Sequence, residues 1–528
     1  MEYYPDVIWQ QSVAAEAANH WPLQVPDVAG APLQYHYFAF MHMAASHEST
    51  GIDLSLINLR LNPMPLLLLL IVQFVVVGRI LDRRSSTGLL AVGLAFLVYC
   101  TVPGIELQPA PFQDLFLSAS YLYGYVFFLP AVGLLLTLVS DSKPLRAGPC
   151  LWVLLFLFLA AAMGAKGSIL PVVGAGLAIL FGYLLAYRRE LLPHIFAALL
   201  LVGFVFLLAQ GLIYRGNTAG GTFDLFGTLR DNPTPFDALL GKFPSSLPIN
   251  LYWAIASVPA TVLITVPISL GIALLYAIAR RLPDVKEALL LALFLASLGF
   301  LYAVSQSGES QLYFFFYGYG AAALVAARGW RETAERLTAV PRAALVAAAV
   351  AIAVAFGLVG DDPVIRAPKT LARYVAGKAT WNTAPAVTPA LTEALYWMRD
   401  HTSINDVFAV NNQYEPDRVI ARACYYTALS ERRAMLGCEY DGRGTIVLPL
   451  HTVRQDPSLH PYARRFKINE HAFRGNPKAI RQAATSGVTY LFLDKQYAPA
   501  HAEARLRRSP VLVEVFANSA AAIYRVES

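Results

Sequence analysis

The residues best suited to chemistry lie near the start of the chain. Tyr3-Tyr4-Pro5-Asp6-Val7-Ile8-Trp9-Gln10 sets a carboxylate among aromatic rings, and Tyr35-His36-Tyr37 follows a stretch broken by Pro22, Pro26, Gly30 and Pro32. Rings stack on sugar faces, while a carboxylate can deprotonate a hydroxyl or bind a metal. Such a set suits a saccharide or a lipid headgroup. Asp6 also has a plainer reading, as the cap of a helix beginning at Val7 that accepts hydrogen bonds from free N–H groups. Both can hold, because a cap fixes a carboxylate in place. Glu16 and His20 are four apart and share a helix face, where a solvated pair is commoner than a catalytic dyad. His36, His42 and His47 lack metal-ligand spacing on one element, which argues against a dedicated zinc site.

Three further polar groups stand between apolar runs. Lys166 interrupts two of them at Ala165-Lys166-Gly167, an expensive place for a charge unless it meets an anion or reaches water. Snorkelling explains it nearly as well as phosphate binding does. Glu309 and Gln311 belong to Ser305-Gln306-Ser307-Gly308-Glu309-Ser310-Gln311, ahead of an aromatic run from Tyr313 to Tyr319. The end of a membrane helix is an ordinary place for Glu and Gln. What raises Asp6, His36, Lys166, Glu309 and Gln311 above background is that topology assigns them to one exterior layer; Tyr35 joins His36 as a candidate for the sugar pocket.

That topology follows from composition. The chain has 528 residues, of which 56% are hydrophobic and 14% charged. A soluble fold cannot hide so much apolar surface, so lipid must be the solvent for most of it. The net charge of +6 comes from short Lys and Arg clusters between apolar runs, which speaks against nucleic acid as a partner. Apolar runs near 63–81, 87–104, 118–139, 148–164, 168–187, 193–214, 255–279, 286–304, 310–327 and 342–360 predict about ten spans, each needing roughly 20 residues. Alternate loops carry fourteen basic residues, among them Arg79, Arg83, Arg84, Arg280, Arg281, Arg328 and Arg331, against four in the opposite set, Lys166, Arg215, Arg230 and Lys242. The richer set is cytoplasmic by the positive-inside rule. Residues 1–62, the loop 215–254 and a C-terminal region 361–528 are then exterior, flanking a bundle over 63–360. A tail of that length crossing with no helix ahead of it is unusual. A missing upstream helix is the more economical expectation.

The C-terminal region reads as a small α/β domain. A helix is expected over 390–401, with Trp397 and Met398 on its apolar face. Short strands follow at 407–410 and 488–493, and a hairpin at 511–517 and 520–526 turns at Asn518-Ser519. No Gly-rich phosphate loop or catalytic Ser or Cys motif occurs here. Cys424 and Cys438 both lie in this domain. If it is exterior they could form a disulfide, or they could stand far apart.

An exterior acidic segment, a polytopic bundle and an exterior α/β domain together resemble the GT-C superfamily of integral-membrane glycosyltransferases. The stretches that carry the resemblance are Asp6-Val7-Ile8-Trp9, Gly30-Ala31-Pro32-Leu33-Gln34-Tyr35-His36, Ser310-Gln311-Leu312-Tyr313-Phe314, Ala428-Leu429-Ser430-Glu431-Arg432-Arg433 and Gly487-Val488-Thr489-Tyr490-Leu491. The resemblance implies a polytopic α-helical membrane protein with a C-terminal exterior α/β domain, in a bacterial plasma membrane. It implies transfer of a hexosyl or pentosyl unit from a polyprenyl-phosphate sugar to a glycan, lipid or protein acceptor. In such enzymes an acidic residue soon after the first helix activates the acceptor or contacts a divalent metal, a role that falls on Asp6. A second acidic residue beside it, common in the family, is lacking here. Glu16 or Asp27 could substitute only if the loop folds back. Two other classes stay open: a transporter or flippase for lipid-linked saccharides, which favours charges at mid-membrane, and an assembly factor with no cavity between its first segment and the bundle.

Overall fold

The structure is a computed structural model and describes residues 5–97, 115–116, 118–140, 148–217, 221–226, 265–279, 282–306, 310–336, 387–411, 421–437 and 462–527. The chain begins with α1 (Pro5–Asn19), where Ala14, Ala15, Ala17 and Ala18 favour the helix, and Pro22 blocks its continuation. Ile8, Trp9, Val13 and Ala14 turn inward, each large side chain contributing roughly 2 kcal/mol by burial. The second helix, α2 (Phe38–Thr50), stops at Gly51, whose left-handed backbone lets its N–H reach the His47 carbonyl at 2.8 Å. Asp53 then caps a short turn through Ser55 N at 2.9 Å, and the chain winds on into α3 (Pro63–Asp82).

The bundle continues with α4 (Ser85–Val92), α5 (Ala119–Ser140), α6 (Pro149–Ala165), α7 (Ile169–Tyr187), α8 (Leu192–Ala209), α9 (Val266–Ala279), α10 (Val285–Ala303) and α11 (Leu312–Arg336). Among the described residues five helical stretches are long and apolar enough to cross a membrane: Leu54–Asp82, Ala119–Ser140, Ile169–Tyr187, Arg189–Tyr214 and Val285–Ala303. Ser85–Phe96, Pro149–Ala165 and Pro267–Ala277 are apolar but shorter, and the run at 342–360 lies outside the described residues. Outward-facing Leu68, Val72, Phe204 and Leu207 are exposed, as helices solvated by lipid require. Inside, Tyr121, Tyr125 and Phe128 of α5 interleave with Phe316 and Tyr317 of α11 at centroid separations of 4.8–5.5 Å. The expected tight hairpin at 165–167 is present, between α6 and α7.

Many basic residues assigned to one set of loops meet acids at one end of the bundle. Arg331 bonds Asp82 at 2.9 Å and Glu335 at 2.8 Å. Arg328 reaches Glu287 and Glu332, both at 2.8 Å, and Asp284 at 3.2 Å. Asp284 and Glu287 also form a capping box at the start of α10.

The C-terminal region contains α12 (Pro389–His401), β3 (Val407–Val410), α13 (Ala421–Ser430), β4 (Arg433–Ala434), α14 (Ala463–Phe473), α15 (Pro477–Thr485), β5 (Val488–Asp494), α16 (Ala502–Arg507), β6 (Leu512–Ala517) and β7 (Ala521–Val526). The smaller pair β1 (Thr222–Phe223) and β2 (Val304–Ser305) lies in the bundle region. The sheet order is β4-β3-β5-β7-β6, with β4, β3 and β5 parallel and β7 antiparallel to both its neighbours. Strand alternation builds two cores. Leu491, Leu493 and Tyr524 pack with α14 and α15, while Phe492 and Ile523 pack with α12 and Tyr426 of α13. The expected helix, two strands and hairpin are all found, and Asn518 closes the hairpin by accepting from Ala520 N and Ala521 N.

The first segment is joined to this domain. Ala29 N donates to Ala434 O and Ala434 N to Pro26 O, both at 2.8 Å, so the turn at 26–30 is tied to the edge strand β4. Asp27 is fully buried there and accepts from Thr427 Oγ1 at 2.8 Å. Glu16 takes two bonds from Arg433, at 2.9 and 2.6 Å, one from Gln24 N, and pairs with His20 at 3.1 Å. Glu16 and His20 are thus not a solvated pair. Burial beneath the C-terminal domain makes them a structural junction. Cys424 is disulfide-bonded and packs in the shared core, while Cys438 lies outside the described residues.

Candidate functional site

At the end of the bundle opposite the arginine–carboxylate network, α1 lies against the start of α5. Gln10 Oε1 accepts from Ala119 N at 2.9 Å, and Asn58 Nδ2 donates to the Val7 carbonyl at 3.1 Å. A crevice between these elements is lined by Val7, Gln10, Asn58, Leu66, Ala119 and Tyr123. Asp6 stands in the first turn of α1, which begins at Pro5. It is therefore inside the helix and not ahead of it as a cap. Pro5 is favourable at a first helical position because its missing N–H costs nothing there. A carboxylate in that turn still interacts favourably with the helix dipole.

Four of the residues singled out in the sequence come together here. Tyr35 packs edge-on against Trp9 with centroids 5.0 Å apart, and lies 3.7 Å from the His36 ring. Burial pushes the Tyr35 phenol well above its usual range, and the charge of Asp6 adds to this, so the hydroxyl keeps its proton. His36 is 7% exposed, and its Nε2 has no hydrogen-bond partner. Burial, and then the charge of Lys166, hold this imidazole well below its ordinary value and therefore neutral. Lys166 is 6% exposed. Its ammonium lies 3.3 Å from Ser120 Oγ, 3.4 Å from Ser118 Oγ and 3.5 Å from the centre of the Tyr313 ring.

The surrounding elements fix this lysine. The Tyr214 hydroxyl donates to Met163 O at 2.7 Å and lies so close to Gly167 that a Cβ there would stand 2.9 Å from it. A Cβ on Gly124 would collide with the Tyr317 hydroxyl at 2.2 Å and crowd Lys166 Cβ at 3.1 Å. The turn and the facing helix therefore both require glycine. Gln311 is buried just before α11, two residues ahead of Tyr313, and its Oε1 accepts from Gln306 N at 3.2 Å. Glu309 lies outside the described residues.

Sequence reasoning missed Ser118, Ser120, Tyr214 and Ser168. The first two had a faint signal, Ser-Ala-Ser immediately before an aromatic span; Tyr214 and Ser168 had none beyond proximity to helix ends. The three histidines are dispersed: His42 bonds the Tyr123 hydroxyl, and His47 Nδ1 lies 2.6 Å from Ile52 O. Among the described residues no group of three or more His, Cys, Asp or Glu gathers that could hold a metal ion. The divalent metal implied by the resemblance finds no fitting cradle among them.

No protein-family model matches the sequence, and a search of curated proteins finds no match either. Solved structures do match. The archaeal oligosaccharyltransferase AglB from Archaeoglobus fulgidus, in complex with an inhibitory peptide and a dolichol-phosphate, is 12% identical over 96% of this chain and 67% of its own, with a TM-score of 0.49. ArnT from Cupriavidus metallidurans in the apo state is 12% identical over 99% of this chain and 94% of its own, with a TM-score of 0.50. At such identity the likeness to ArnT speaks to fold alone: a helical bundle with a C-terminal sheet domain.

Proposed function

We propose that this chain is a membrane glycosyltransferase that moves a sugar from a polyprenyl-phosphate donor to an acceptor hydroxyl or amide at the exterior face of a bacterial plasma membrane. The observation that carries this reading is the meeting of Asp6, Tyr35, His36 and Lys166 at one end of the bundle, beside the crevice between α1 and α5. Asp6 acts as general base and takes the acceptor proton as the acceptor atom bonds to the anomeric carbon. The bond from that carbon to the phosphate oxygen breaks, and the phosphate leaves with its electron pair. Lys166 neutralises the charge that develops on it. Tyr35, His36 and Gln311 line the sugar pocket.

ArnT from Cupriavidus metallidurans has also been seen bound to undecaprenyl phosphate. A lipid-phosphate donor accounts for a membrane-embedded enzyme, because no nucleotide sugar reaches the exterior surface. The loop charges support about ten spans with both the first segment and the C-terminal domain outside. Two of the spanning helices, Ala119–Ser140 and Ile169–Tyr187, contain no ionisable Asp, Glu, Lys or Arg, which favours a transferase over a transporter with mid-membrane charges. The test is Asp6→Ala. Sugar transfer from a polyprenyl-phosphate donor is expected to fall by a factor on the order of a hundred or more with expression intact. Full activity in that variant would contradict the assignment.

A further inference from the structure

The C-terminal domain carries a charge pattern that the transfer reading leaves unused. Between Ala463 and Ser486 the chain has six Lys or Arg residues and one acid, Glu470. Arg464, Lys467, His471 and Arg474 are spaced three, four and three apart, so they form one stripe along α14, and all four are exposed. Ten residues of helix make that stripe roughly 15 Å long. Lys478 and Arg481 of α15 are exposed as well and extend the charge onto the neighbouring helix. Arg474 pairs with Glu470 at 3.4 Å, whereas among the described residues Arg464, Lys467, Lys478 and Arg481 have no acidic partner. The two helices border an open groove of about 380 Å³, lined by Ala463, Arg464, Lys467, Ile468 and Gln482. Ile468 is 7% exposed and forms with Ala463 an apolar floor between the cations and an amide. Arg465, next in sequence to the groove, turns the other way: its Nη1 donates to Ala29 O at 2.7 Å and to Met435 O at 3.2 Å. The stripe therefore starts beside the loop that leads to Tyr35 and His36.

We infer that this groove binds a linear anionic glycan and holds it, as the acceptor, beside the segment that carries the transfer site. Arg464 and Lys467 meet the anionic groups through charge-assisted hydrogen bonds. The Gln482 amide bonds ring hydroxyls, and the edges of Ile468 and Ala463 take the apolar face of a sugar ring. Successive cations stand about one helical turn apart, ~5.4 Å, so an extended polyanion meets several of them at once. A narrow groove with an apolar floor fits such a chain better than it fits the flat surface of an anionic bilayer. Among the described residues its lining holds no aromatic ring on which a nucleobase would stack, which sets it apart from a single-strand nucleic-acid channel. The polyanion site rests on the two helix faces; its use as an acceptor site rests on the transferase reading.

The full-length protein in detergent would be titrated with a galacturonate oligomer, with a neutral glucose oligomer of equal length as control. The galacturonate oligomer should bind about ten-fold more tightly at low salt, and added salt should erase most of that preference because exposed charges are screened. Arg464→Gln combined with Lys467→Gln should weaken its binding about five-fold, the value of two exposed charge contacts. Arg481→Gln, on the other helix, should weaken it about two-fold without disturbing α14. Arg188→Gln removes the same charge from the far end of α7 and should leave binding unchanged. All four positions are exposed, so melting temperatures should stay level. Equal affinity of wild type and the groove variants, or equal binding of the neutral oligomer, would overturn the site. So would a protein that ignores the oligomer and uses Arg464 and Lys467 to bind phosphatidylglycerol vesicles in preference to phosphatidylcholine ones, which makes this face a membrane contact. Sugar transfer to an anionic acceptor is scored separately, and the groove variants should raise KM while leaving kcat unchanged. Groove-dependent binding in a chain that transfers no sugar sinks the transferase reading and spares the groove; transfer with KM untouched by the variants overturns the acceptor role.

Discussion

The two ends of the bundle handle charge in opposite ways. At one end Arg328 and Arg331 are locked to Glu287, Asp82, Glu332 and Glu335 by bonds of 2.8–2.9 Å. At the other, Lys166 reaches hydroxyls and an aromatic ring, His36 is held neutral, and Ser168 Oγ has nothing to bond. The first arrangement is complete as it stands and closes helices α3, α10 and α11 together. The second leaves Ser168 Oγ and His36 Nε2 buried without a partner, as the proposed site for a charged ligand requires and a brace does not.

That contrast can be broken in order of expected effect. Lys166→Met should cut sugar transfer by roughly a hundred-fold or more, measured with a polyprenyl-phosphate donor in membranes, because charge stabilisation at the leaving phosphate is lost. Arg331→Met should act on stability instead. It leaves the Asp82 carboxylate, whose side chain is 4% exposed, without its arginine, at a cost of about 3–5 kcal/mol. Thermal unfolding in detergent reads that loss, and binding of undecaprenyl phosphate in the folded fraction should be unchanged. If Arg331→Met abolished lipid binding and left the melting temperature alone, the two ends would not have separate jobs.

Glu16→Gln tests the junction that holds α1, and with it Asp6, under the C-terminal domain. Removing the carboxylate leaves Arg433 half-satisfied and should lower stability by roughly 3 kcal/mol, with transfer falling as the first turn of α1 loosens. The smallest effect concerns Glu431 at the same junction. Burial raises its pKa above the ordinary carboxyl value, against the opposing charge of Arg399. The folded state therefore holds this proton more tightly than the unfolded one. The stabilisation is fully present below the unfolded value near 4.5 and is lost as pH rises through the folded value. Glu431→Gln should remove that slope from a plot of melting temperature against pH just above the ordinary carboxyl range. An unchanged slope would assign it to another group.

Local features were legible in the sequence because they depend on neighbours along the chain. The hairpin around Lys166, the strands at 407–410 and 488–494, and the turn at Asn518 all follow from apolar runs and turn residues. The gathering of Asp6, Tyr35, His36 and Lys166 was legible only as a shared layer set by loop charges. What stayed hidden were partners far apart in sequence. Glu16 and Arg433 are 417 positions apart, and no periodicity links them, so a buried brace read as an ordinary i,i+4 surface pair. Asp6 was read as the cap of a helix beginning at Val7, whereas it lies in the first turn of a helix that already includes Pro5. Ser168 gave no signal at all, because an unspent hydroxyl is visible only once its surroundings are built.

The most direct measurement is a structure of the full chain with undecaprenyl phosphate bound. The account predicts the phosphate at the first turn of α7, within hydrogen-bond distance of Lys166 Nζ and on the same side of the bundle as Asp6. A phosphate seated at the Arg328–Arg331 end, or away from both Lys166 and Asp6, would contradict it.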